Sequence, residues 1–170
     1  MGVLSRFKDQ KSTIKYDLLV LLSGPEPQRS LLENKLLNEL KNYNGTVFFV
    51  RGVLKNSSKI KASSNVKIVD YLLTEDLQKA INESEMILAR SGYSTIMDLA
   101  VLGKKAFFIP TPGQFEQEYL AKKLNNKLIA PFATQQNFKV NNLRDLSKFS
   151  GFKAYKTRIN LDLFCLFQGK

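Results

Sequence analysis

The chain has 170 residues, 44% of them apolar and 24% charged, which suits one globular domain with a substantial core and leaves no room for two ordinary ones. No apolar run exceeds strand length, which excludes a bilayer-spanning segment, and a single cysteine, Cys165, excludes an internal disulfide. The net charge of +11 favours anionic partners, whereas the absence of histidine removes the commonest general base and the commonest neutral metal ligand.

The N-terminus shows neither the apolar stretch of a secretory signal nor a hydroxyl at position 6, where Arg6 breaks the myristoylation pattern. The expected compartment is therefore the reducing cytoplasm. Residues 17–22 read as a buried strand, followed by a turn from Ser23 to Pro27. Leu31, Leu32, Leu36, Leu37 and Leu40 recur at helical intervals from Gln28 to about Asn42, and Asn44 with Gly45 signals a turn. Residues 46–50 and 66–70 are the second and third predicted strands. A helix is expected from Glu75 to Ser84 and a fourth strand over 86–89. Arg90, Ser91 and Gly92 form the next turn, leading to a helix from Thr95 to Leu102 that Gly103 stops. Residues 106–109 give a fifth strand, closed by Pro110 and Pro112. A helix over 116–124, a short sixth strand over 127–130 and a last helix over 141–149 complete the pattern.

Strands apolar on both faces, alternating with helices, predict a doubly wound, Rossmann-like α/β domain: a parallel sheet of about six strands covered on both faces. Ligands of such sheets bind at the carboxyl ends of the strands, where the strand order reverses. Function is therefore expected in the loops that follow the strands: 23–28, 51–52, 71–74, 90–95 and 111–117.

Of these, the stretch from Arg90 to Thr95 carries the most chemistry. Gly92 allows close backbone approach, and the helix that follows offers free N–H groups and a positive dipole end, a combination that suits a phosphate. Ser94 could equally serve as a plain helix cap, and the two roles are compatible. Asp98 lies three residues after Thr95 on the same helix face, where its carboxylate could accept ribose hydroxyls or simply meet solvent. Glu116 and Gln117 open the next helix and could reach sugar hydroxyls, although acids are ordinary residues in a first turn.

Taken in order, Arg90 to Asp98, then Gly103, then Phe108 to Pro110, then Glu116 to Ala121, resemble the MurG-like, donor-binding C-terminal domain of glycosyltransferase family 28. The resemblance runs from about Asp17 to Phe149. It implies the GT-B architecture, in which this domain holds a UDP-sugar and a separate N-terminal domain, or partner chain, holds the acceptor and usually the general base. Carried over, it assigns Ser23 and Gly24 to the loop beside the diphosphate, and Arg51 with Gly52 to a turn lining the nucleotide pocket. Tyr71 and Leu72 fall at the uracil, and Ser91, Gly92 and Thr95, following Arg90, form the phosphate turn. Asp98 stands where the family usually has the Glu that bonds the ribose. Glu116 and Gln117 match a pair that reads sugar hydroxyls, and Glu116 departs from the MurG-type residue. The resemblance implies no metal or other cofactor, a catalytic base outside this chain and membrane association only through the acceptor-binding part. It also makes residues 1–16 the end of an interdomain linker and 17–150 the donor domain. The apolar stretch 160–167 is expected to pack on the core, on a partner or on a second copy.

Two other classes compete. The basic charge permits a nucleic-acid-binding domain, but Phe48, Phe49, Phe107 and Phe108 fall in strand cores rather than between basic residues. A nicotinamide-dependent dehydrogenase would need G-x-G-x-x-G after the first strand, and neither that pattern nor a P-loop is present.

Overall fold

The computed structural model describes residues 5, 7, 8, 10, 12–54 and 63–153. Among these residues are five strands and four α-helices: β1 Tyr16–Leu21, α1 Gln28–Glu39, β2 Val47–Val50, β3 Val66–Val69, α2 Thr74–Asn82, β4 Ser84–Ala89, α3 Tyr93–Val101, β5 Lys105–Phe108 and α4 Phe115–Asn126. Short 3₁₀ segments cover Leu40–Asn42 and Val140–Lys148. The sheet order is β3-β2-β1-β4-β5, and every neighbouring pair runs parallel. The chain thus builds outward from β1 in one direction, returns, and builds outward in the other. The turnover point lies between β1 and β4.

Side-chain alternation along each strand explains why the sheet needs cover on both faces. Leu18 and Val20 enter one core layer with Leu32 and Leu36 of α1, Phe49, Phe107 and Phe138. Leu19, between them, enters the opposite layer with Phe48, Ile81 of α2, Ile87, Leu99 of α3 and Phe108. Leu18, Leu19 and Val20 have no exposed surface at all, so the continuous apolar run of β1 is a central strand.

One predicted strand is corrected. Residues 127–130 form no strand. Leu128 takes a left-handed φ of 52° as α4 ends, and Pro131 has no N–H to give a ladder, so pairing shrinks to a single parallel bridge between Phe108 and Phe132. The expected last helix is present, as a 3₁₀ helix over Val140–Lys148. Its buried residues, Val140, Leu143 and Leu146, are spaced by threes, which matches three residues per turn and not 3.6. The apolar stretch 160–167, including Cys165, lies outside the described residues, as do 1–4.

One turn is fixed by close packing. Gly52 holds φ at +70°, and a Cβ there would run into the backbone carbonyl of Leu22. Gly52→Ala should therefore lower stability by about 2 kcal/mol, the scale of a strained left-handed residue, read as a shift in the denaturation midpoint with an unchanged slope.

Candidate functional site

The carboxyl ends of β1 and β2, the turn after β3 and the start of α3 enclose a cleft of about 200 Å³. Ser23, Gly52, Tyr71, Leu72 and Thr95 line it above the ends of the strands. A larger recess of about 370 Å³ lies between α4 and the segment around Gln135, with Glu118 and Lys122 on its wall. None of the predicted site residues lines that recess, so the smaller cleft at the strand ends is the candidate site.

Beside the cleft, Arg90 forms a buried hub. Its side chain is 1% exposed and faces carbonyl oxygens rather than a carboxylate. Nη1 donates to Ile109 O and Pro110 O, each at 3.1 Å. Nη2 donates to Gln28 O at 3.0 Å and to Gln135 Oε1 at 2.7 Å. Burial pushes the Arg90 pKa down to about 10, so the group stays charged at neutral pH. It ties the end of β4 to the end of β5, to the start of α1 and to the segment before the last 3₁₀ turn.

A second buried network lies under the β1–α1 loop. Glu33 accepts from Arg29 Nη1 at 2.8 Å and from Arg51 Nε, and Arg51 Nη1 donates to Asp70 Oδ1 at 2.7 Å. Arg29 also donates to Glu26 Oε1 at 2.6 Å. Burial works against the Arg29 cation, but Glu33 and Glu26 outweigh it and raise its pKa. The hydrogen bond to Glu33 raises that of Arg51, with Asp70 adding to the effect. Removing one partner from such a buried pair typically costs about 3–5 kcal/mol. One hydrogen bond to a charged ligand group returns about 1.5–3 kcal/mol. Arg51 is therefore held in the fold, and Gly52 is the residue of its turn that faces the cleft.

The helix N-termini separate by their first turns. α2 carries Glu75 and Asp76 there, and α4 carries Glu116 and Glu118. In α1, Arg29, Ser30 and Leu31 already direct their N–H groups to Pro25 O, Glu26 Oε2 and Pro27 O. α3 carries no acid in its first turn and no side-chain cap. Among the described α-helices, it alone combines uncommitted N–H groups with a positive end that no acid offsets. Gly92 occupies its N-cap position at φ −68° and ψ 147°, so Ser94 is an exposed first-turn residue and not the cap. A Cβ on Gly92 would meet nothing within 4 Å, so the turn opens onto free space.

The remaining predicted residues divide by what they already hold. Gly24 sits exposed at φ +108°, and a Cβ there would lie 3.6 Å from Thr111 Oγ1, a buried hydroxyl with no partner among the described residues. Ser91 is fully buried and donates to Gln117 O at 2.8 Å. The Gln117 side chain accepts from Thr111 N at 2.9 Å and donates to Gln114 Oε1. These are neutral bonds of about 1 kcal/mol each, so Gln117 can be redirected far more cheaply than Arg51. Glu116 is exposed at the open end of α4. Asp98 accepts the hydroxyl of Ser5 at 2.6 Å. The structure thus gathers Ser23, Tyr71, Leu72 and Thr95 at the cleft and turns the charged ends of Arg51 and Arg90 away from it. Glu33, Thr111, Gln114, Gln135 and Ser5 shape the site without any local sequence pattern to reveal them. Phe49, Phe107 and Phe108 are at most 1% exposed and Phe48 7%, so none offers a stacking platform for nucleic acid.

Comparison with known proteins shows the family and the fold. The profile of the glycosyltransferase family 28 C-terminal domain matches residues 26–148. The UDP-N-acetylglucosamine--N-acetylmuramyl-(pentapeptide) pyrophosphoryl-undecaprenol N-acetylglucosamine transferase of Haemophilus ducreyi is 28% identical over 148 residues, which cover 83% of this chain and 41% of that protein. The same transferase from Buchnera aphidicola is 27% identical over 142 residues, covering 79% and 39%. The chain therefore spans about two fifths of the length of these relatives. Among solved structures, the glycotransferase of kitacinnamycin superposes with a TM-score of 0.62 at 13% identity, covering 86% of this chain and 38% of that one. MurG of Acinetobacter baumannii gives 0.58 at 20% identity, covering 84% and 44%. At such identities these structures speak for the fold.

The hub yields a sharp expectation. Arg90→Lys keeps the charge but replaces a planar fork by a single ammonium, which cannot reach four acceptors on three separate segments. It should cost about 3 kcal/mol, or roughly 10 °C in thermal midpoint for a domain of this size. A midpoint within about 2 °C of the unsubstituted chain would show that the hub carries little of the stability.

Proposed function

Because the chain belongs to the glycosyltransferase family 28 C-terminal domain, we propose that it binds a UDP-sugar donor for hexosyl transfer to an acceptor held by an N-terminal domain or a separate chain. The observation that carries this reading is the N-terminus of α3, uncapped, free of acids and open beyond Gly92. Its N–H groups suit the diphosphate. Tyr71 and Leu72, on the wall of the cleft that Thr95 also lines, suit the uracil, and Asp98 suits the ribose. Ser23 and Gly24 approach the diphosphate from the opposite side, and Glu116 with a redirected Gln117 reads the sugar.

In the transfer, an acceptor oxygen attacks the anomeric carbon as its bond to the β-phosphate oxygen breaks, and UDP leaves with the electron pair. The fixed N–H groups and dipole of α3 offset the charge that develops on the leaving diphosphate. We assign this chain no metal and no further cofactor, and we place the general base that takes the acceptor's proton on the acceptor-binding part. The named relatives use UDP-N-acetylglucosamine. Asp98 and Glu116 are the positions at which this chain's ribose and sugar contacts would differ. The donor domain is taken as 17–150. No helix among the described residues is long and apolar enough to cross a membrane, and a cytoplasmic location, with membrane contact through the acceptor-binding part, suits the reading.

Calorimetric titration should give saturable UDP binding below about 1 mM, the upper end of ordinary substrate affinities. No heat and no thermal shift at that concentration would sink the proposal. Gly92→Ala separates site from scaffold, because its backbone angles suit any residue and its Cβ meets open space. Stability should stay within about 0.5 kcal/mol, while UDP binding weakens about tenfold as the methyl enters the diphosphate's space.

A further inference from the structure

The segment before β1 brings a side chain to α3. Phe7 is 3% exposed and buried in the layer that also holds Leu72, Leu77 and Ile96. The backbone N–H of Lys8 donates to Gln78 Oε1 of α2 at 3.0 Å. These two anchors, one apolar and one polar, hold the segment across α2 and α3. Ser5 then donates its hydroxyl to Asp98 Oδ1 at 2.6 Å, while the N–H of Phe7 donates to Ser5 Oγ at 3.1 Å. A backbone donor, a hydroxyl and a carboxylate are thus linked in series between groups 93 positions apart in sequence. The hydroxyl has one proton, and it goes to one carboxylate oxygen, so the second oxygen keeps its acceptor sites.

We propose that Ser5 is a positioning residue for the nucleotide: it fixes the Asp98 carboxylate in one rotamer, with Oδ2 left to accept a ribose hydroxyl. This rests on the donor-binding reading above. Asp98 follows Thr95, a cleft residue, by one helical turn, and its short side chain reaches a ligand only from a limited set of rotamers. Holding that rotamer in advance removes an ordering cost from binding. A segment that merely packed on the domain would need Phe7 but not the hydroxyl of Ser5.

The test compares UDP with its 2′-deoxy and 3′-deoxy forms by calorimetry on the full chain, unsubstituted and with Ser5→Ala or Ser5→Thr. The unsubstituted chain should prefer UDP over at least one deoxy form by about tenfold, the worth of a charge-assisted hydrogen bond. Ser5→Ala should cut that preference by at least about threefold while leaving affinity for the same deoxy form unchanged, and Ser5→Thr, which keeps the hydroxyl, should restore it. An unchanged preference in Ser5→Ala, or tighter UDP binding in that variant, overturns the proposal; the second result would mean that the segment blocks the site. Binding of UDP and both deoxy forms with equal affinity by the unsubstituted chain overturns the ribose role of Asp98 and this proposal, while donor binding stands. Binding of none of the three overturns donor binding itself.

Discussion

A guanidinium buried without a carboxylate holds the carboxyl edge of the sheet together. Arg90 follows directly on β4, at the point where the strand order turns over, and spends its donors on the chain at Gln28, Ile109, Pro110 and Gln135. Four carbonyl acceptors from three places can meet one planar fork only if the loops that carry them are held in one arrangement. The turn that follows, from Ser91 to Gly92, inherits its position from this hub. So does α4, because Ser91 is bonded to Gln117 O. The open N-terminus of α3 is therefore presented by a rigid frame, although it stands on a loop.

The polar groups of this edge fall into two tiers. Below are charged side chains locked to one another or to carbonyls: Arg29, Glu33, Arg51 and Asp70 in one network, Arg90 in the other. Above are groups with weak commitments or none: the first N–H groups of α3, Gly24, Gly52, and the amide of Gln117. Depth decides the tier, because a buried charge that loses its partner costs several kcal/mol while a neutral amide can change partners for about one. The proposed ligand contacts all fall in the upper tier. The lower tier sets the distances within it.

This division explains what could be read in the chain and what could not. The apolar runs of β1, β2, β4 and β5 are local signals, and so are the glycines that end them, which is why the doubly wound sheet and the loops at its edge were legible. Arg51 and Arg90 lie in those loops and look like anion ligands. Their real partners are Glu33, 18 positions away, and Gln135, 45 away, and no pattern near either arginine announces them. The bond from Ser5 to Asp98 was beyond sequence reasoning for the same reason. The last helix was legible as a helix, and the spacing by threes of Val140, Leu143 and Leu146 is what makes it 3₁₀. At residues 127–130 apolar character suggested a strand, and the left-handed turn at Leu128 overrode it.

The same two tiers resolve an apparent conflict between charge and site. A chain with a net charge of +11 could be expected to grip an anion with arginines. The arginines nearest the cleft are consumed by the fold, and the exposed cations, such as Lys122, Lys123, Lys127 and Lys148, stand on α4, the turn after it and the last 3₁₀ segment. Such charges act over about 8–10 Å before salt screens them, which raises the rate at which an anion arrives without gripping it. On the donor-binding proposal, backbone N–H groups at a helix end make the contact, and they carry only a fraction of a charge. A diphosphate held this way is bound through geometry more than through net attraction. That suits a group that must be held while its bond to the sugar breaks and then released as a product more highly charged than the donor.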